Sequence, residues 1–75
     1  MSYQGFIIRD PAIMLGKPTL KGTRITVEHI LDKLSQGFTI GDILEAYPHL
    51  SHQQVVAAIE CAAAIIANEE IMEIK

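Results

Sequence analysis

Seventy-five residues, 49% of them hydrophobic, with one cysteine and a formal net charge of −3, describe one small domain near the lower limit of independent stability. They exclude an intrachain disulfide. They also argue against a membrane span, because the longest apolar run, residues 55–67, is interrupted by Glu60 and falls short of the roughly twenty residues a span needs. With a start that lacks the pattern of a secretory signal, the lone thiol gives an expectation of a reducing, cytoplasmic setting.

The charge is unevenly placed. Residues 1–24 carry Arg9, Lys17, Lys21 and Arg24 against Asp10 alone, whereas residues 25–75 carry Lys33 and Lys75 against the other eight acids. A basic front and an acidic rear predict two surfaces with different partners.

The front, residues 5–26, reads as short strands. Phe6, Ile7 and Ile8 form an apolar run ended by Asp10-Pro11, and Ala12–Leu15 form a second, stopped by Gly16-Lys17-Pro18. Leu20 and Ile25 flank Lys21-Gly22, where the glycine suits a tight turn. Pro18 has no amide donor and belongs at a strand start or sheet edge.

The rear, residues 26–75, reads as three helices. Thr26 caps the first, whose Val27, Ile30, Leu31 and Leu34 follow at helical spacing until Gly37. Thr39 caps the second, with Asp42 in its first turn, Ile40, Ile43, Leu44 and Tyr47 on one face, and Pro48 as the stop. Ser51 and Gln54 make a capping box for the third, which is expected to run to about Asn68 with a short helical tail. That third helix is apolar on nearly every side. It is expected to bury Val55, Val56, Ile59, Ala63 and Ile66 against a second polypeptide, in a homodimer or a complex. The opposing reading is an alanine-rich helix that tolerates water.

The stretch Gly16–Val27 is not a phosphate-binding P-loop. Five residues separate Gly16 from Gly22, Thr23-Arg24 stands where Lys-Ser/Thr belongs, and no strand–helix–strand unit surrounds it. A basic turn bearing Lys17, Lys21 and Arg24 does suit phosphate contacts on nucleic acid. Arg24 serves equally well in an internal ion pair with an acid such as Glu28. The second and third helices, joined by Tyr47–Ser51, have helix-turn-helix spacing, which sets His52 and Gln53 where base edges would be read. The same residues also fit a solvated first turn, and the third helix has no cation before its tail.

Other chemistry finds little footing. His49 and His52 are too few for a metal site, Cys61 reads as a small buried hydrophobe, and no nucleophile motif or paired carboxylates point to an enzyme. No catalytic residue, metal or cofactor is expected.

Gly16-Lys17-Pro18, Gly22-Thr23-Arg24-Ile25, Val27, Gly37, Ile43, Tyr47-Pro48, Leu50 and Ser51 stand in an order that resembles the "domain of unknown function 433" family over about residues 6–67. The resemblance implies a mainly α fold: a short N-terminal β-hairpin followed by a three-helix, homeodomain-like bundle, dimeric. It implies a VapB-like antitoxin whose partner is a PIN-like nuclease toxin, with its own promoter DNA as a further target. A protein-interaction module without DNA binding is the alternative. Two positions depart from or weaken the pattern: Thr26, where proline is more usual, and Gly41 inside the second helix, which costs about 1 kcal/mol against alanine.

Overall fold

A computed structural model describes the backbone from Tyr3 to Ile74 and the side chains through Asn68. The chain opens with a 3-10 turn, Tyr3–Phe6, that runs directly into β1, Ile7–Ile8. β1 pairs antiparallel with β2, Thr19–Leu20, in the register Ile7 to Leu20 and Ile8 to Thr19. Pro18 sits just before β2, where a missing amide breaks no ladder bond. Three helices follow: α1, Val27–Ser35; α2, Ile40–Ala46; and α3, His52–Ile74. The expected architecture, a short N-terminal β element and three helices, is therefore the observed one.

Each helix begins where a side chain satisfies its free amides. The Thr26 hydroxyl accepts from the His29 amide at 3.0 Å. Thr39 and Asp42 form a reciprocal box, with the Asp42 amide donating to Thr39 Oγ1 at 3.0 Å and the Thr39 amide donating to Asp42 Oδ2 at 2.9 Å. Ser51 and Gln54 repeat the arrangement at the start of α3. α1 ends as expected at Gly37, whose φ of +98° is a left-handed value that a side chain would resist. Because α2 has only seven residues, its capping box matters more than usual. Thr39→Ala is expected to lower stability by about 1 kcal/mol, read as a fall of about 4–8 °C in the thermal midpoint.

The core lies where α1, α2 and the first half of α3 meet the β element. Leu20, Ile30, Ile43, Val55, Ala58 and Cys61 are fully enclosed, with Val27, Leu50, Ala57 and Ala62 nearly so. Thr19 and Thr26 are the buried polar residues, and they face one another across an isolated bridge that ties β2 to the start of α1. The Thr19 hydroxyl donates to the Lys17 carbonyl at 2.7 Å.

Three expectations are corrected. Residues 12–15 form no strand. The Asp10 carboxylate accepts from the Ala12 amide at 2.9 Å and its carbonyl from the Ile13 amide at 2.7 Å, folding the chain into a turn. Met14, Leu15 and Gly16 then take left-handed backbone, with φ of 51°, 60° and 82°. For the two non-glycine residues that conformation costs roughly 1–2 kcal/mol each. Second, β1 pairs across this loop with β2, so the Lys21-Gly22 turn is not the hairpin of the sheet. It is the reversal that leads from β2 into α1. Third, α3 has no stop near Asn68: the short helical tail expected after it is a continuation of the same helix, to Ile74. No glycine or proline follows Asn68 to break it, and asparagine inside a helix costs only a fraction of a kcal/mol.

Candidate functional site

The reversal between β2 and α1 is braced by one threonine. The Leu20 amide donates to the Ile25 carbonyl at 2.9 Å, and the Thr23 amide to the Leu20 carbonyl at 3.0 Å. The Thr23 hydroxyl donates to that same Leu20 carbonyl at 2.8 Å and accepts from the Ile25 amide at 2.9 Å. Gly22, with φ of +82°, allows the bend. Lys21 and Arg24 project from this rigid turn. Both are exposed, and neither side chain has a hydrogen-bond or ion-pair partner among the described residues.

Lys17 is placed differently. Its Nζ lies 3.0 Å from Glu28 Oε1 on α1, in a pair exposed on both sides, and such a pair adds little to stability. The acid proposed for Arg24 is therefore taken by Lys17, and the basic stretch presents two unpaired cations rather than three.

The α2–α3 connection is tied to α1. Tyr47 Oη lies 2.7 Å from His29 Nε2, with the rings edge to face at 5.9 Å. Leu50 is buried beneath the turn, and its amide donates to the Tyr47 carbonyl at 2.9 Å. His49, His52 and Gln53 are left exposed, while Gln54 is engaged in the cap. No hydrogen bond joins His52 or Gln53 to the Lys21–Arg24 turn. Among the described residues, no three histidine, cysteine or acidic side chains come together as metal ligands, and no helix is long and apolar enough to cross a membrane.

The residues expected to face a partner divide. Val55 is enclosed in the chain's own core, and Ile59 packs half-buried against it. Val56 is half-buried, whereas Ala63 is exposed and Ile66 is 53% exposed. Only the later part of α3 is therefore open: from Ala63 to Asn68 no side chain is buried. The reason is that α1, β1 and the first 3-10 turn cover the earlier half of α3, and its alanines let them approach closely.

Beside this open part runs a groove of about 810 Å³ between α1 and α3. Its apolar floor is Pro18, Val27, Leu31, Ala62, Ile65 and Ile66, and Lys17, Glu28 and Asp32 mark its rim. Sequence reasoning did not reveal the groove, because its two walls lie more than twenty-five residues apart. It also missed Cys61 Sγ beside Arg9, whose Nη2 lies 3.8 Å away.

Residues 7–62 match the model of the family described as "Protein of unknown function (DUF433)". No curated protein and no solved structure matches the chain.

Proposed function

The chain belongs to the DUF433 family, and from that premise we propose that it is the antitoxin-like member of a toxin–antitoxin pair. In this reading it grips a PIN-like nuclease toxin through the outer part of α3 and contacts its own promoter through the Lys21–Arg24 turn. One observation carries the reading: α3 is anchored in the core up to Ala62, and from Ala63 to Asn68 none of its side chains is buried. Residues up to Ala62 are locked into the core, and the same helix then continues to Ile74. The twelve residues from 63 to 74 extend for about 18 Å at 1.5 Å per residue. The sequence of this arm includes Glu69, Glu70 and Glu73 and no cation before Lys75. An apolar and acidic arm suits a nuclease whose own site is basic, since complementary charge speeds and directs association.

The toxin arm of the proposal is tested by co-expression with the product of the adjacent reading frame. Co-purification is expected, with affinity falling at least tenfold when Glu69, Glu70 and Glu73 are changed together to lysine. Failure of the two proteins to associate at low salt would remove the toxin reading.

The DNA arm is tested by mobility shift on the chain's upstream DNA. Lys21→Glu combined with Arg24→Glu is expected to weaken binding across all sequences and to flatten the salt dependence by about two units of slope, one per lost phosphate contact. The lack of any cation on the first turn of α3 favours a second reading, an interaction module that does not bind DNA. Absence of any shift at low salt, with the toxin present or absent, would select it.

A further inference from the structure

The walls of the α1/α3 groove repeat at helical spacing. Val27 and Leu31, four residues apart on α1, line one side, and Ala62, Ile65 and Ile66 line the other on α3. Rows at that spacing form the ridges and grooves between which a further helix packs. Length agrees. α1 has nine residues and flanks the groove for about 13 Å at 1.5 Å per residue, which accommodates two to three turns of a docked helix. Ile65 and Ile66 also belong to the open stretch of α3 that leads into the acidic arm, so groove and arm adjoin.

The charges at the rim do not cancel. Lys17 and Glu28 neutralise one another at 3.0 Å. Asp32 is exposed beside Leu31 and has no cationic partner among the described residues. Its carboxylate receives a 3.3 Å bond from Gln36. Lys33, the next residue, has its Nζ over the Phe38 ring instead, 5.0 Å from the centroid. The groove therefore offers an apolar floor with one unneutralised carboxylate at its edge.

We propose that this groove is the second half of the toxin site, and that it receives an amphipathic helix of the toxin. The apolar ridge of that helix lies between Leu31 and Ile65 and covers Ile66, which is 53% exposed in the free chain. A lysine or arginine flanking the ridge meets Asp32. The inference rests on the toxin reading and adds to it a wall on α1. Charge selects this occupant over a second copy of the chain. The open helical segment that a second copy has to offer is the α3 arm, and its Glu69, Glu70 and Glu73 would be set against Asp32. A basic nuclease brings the opposite sign to the same carboxylate.

Titration calorimetry of the full chain with the product of the adjacent reading frame, at low and at moderate salt, provides the test. Asp32→Lys is expected to weaken binding by roughly tenfold and to flatten its salt dependence. Glu45→Lys makes the same change of charge at an exposed position of α2 outside the groove, and is expected to alter affinity by less than about twofold. Leu31→Ala is expected to weaken binding while circular dichroism shows the chain still folded. Equal losses from Asp32→Lys and Glu45→Lys would mean that overall charge alone is read, and would overturn the proposal. Wild-type affinity in both Asp32→Lys and Leu31→Ala, set beside a loss in the triple lysine variant of the arm, would also overturn it and leave the toxin reading standing on the arm alone. A toxin that does not bind the wild type at low salt removes both. Sedimentation equilibrium without the toxin covers the other occupant: a dimer abolished by Asp32→Lys would give the groove to a second copy and end the proposal.

Discussion

Replacing Ile30 by alanine is expected to remove about 2–5 kcal/mol of stability, the largest loss expected from any single truncation proposed for this protein. Ile30 is 0% exposed and sits at the centre of α1, in the cluster that joins Leu20 of β2, Ile43 of α2 and Val55 of α3. It belongs to the one buried cluster to which all four of these elements contribute. Truncation forfeits the transfer of three carbons out of water and leaves a void that short, capped helices cannot easily close. A domain of this length has a total stability of only about 4–11 kcal/mol, so a large part of the folded population is at stake. In a thermal melt followed by circular dichroism, the midpoint should fall by on the order of 10–30 °C. Leu31→Ala, at the neighbouring position on the half-buried groove wall, provides the comparison and should cost much less. Equal losses at the two positions would mean that the core is not centred where it is described.

Local signals were readable from the sequence because they are closed within three or four residues. Thr26, Thr39 and Ser51 each cap the helix they precede, and Gly37 ends α1, since each device needs only its own turn of chain. The exposure of Lys21 and Arg24 was also readable, because a glycine turn between two apolar residues throws its polar side chains outward. Features that depend on two distant segments were not readable. Lys17, not Arg24, reaches Glu28, because β2 runs back alongside the start of α1. His29 meets Tyr47 only once α1 and the α2–α3 turn are packed together. Ile13-Met14-Leu15 looks like a strand in one dimension. The Asp10 carboxylate and carbonyl divert the preceding residues into a turn, and the only hint of left-handed backbone was Gly16 at its end. The open groove has no sequence signature at all, since one wall is α1 and the other is α3.

The third helix is the most instructive difference. Its apolar surface suggested that a second chain must cover it, yet the chain covers much of the first half itself. The explanation is size. Ala57, Ala58, Cys61 and Ala62 are small, all are buried, and together they let neighbouring elements come close to the α3 backbone. Helix spacing is set by the side chains at the contact, so a run of small residues turns an apolar helix into a thin one that a short chain can enclose. That covering ends after Ala62: from Ala63 to Asn68 no side chain of α3 is buried.

That account makes Ala58→Leu the second large effect. Ala58 is fully enclosed, and leucine adds three carbons where the interior is already filled. Overpacking of this kind forces side chains from their preferred rotamers and shifts backbone, at about 1–3 kcal/mol or somewhat more. Leucine is nearly as good a helix former as alanine, so the loss cannot be assigned to α3 itself. Ala63→Leu supplies the control: five residues further along the same helix, at an exposed position, it should change stability by no more than about 0.5 kcal/mol. Both are read by urea unfolding, where a lower midpoint at constant slope marks a true loss of stability rather than a change in the unfolded state. If Ala58→Leu proved as neutral as Ala63→Leu, α3 would not be held against its neighbours at that point. The division of the helix into an anchored part up to Ala62 and an open stretch from Ala63 to Asn68, on which the proposed toxin contact rests, would fall with it.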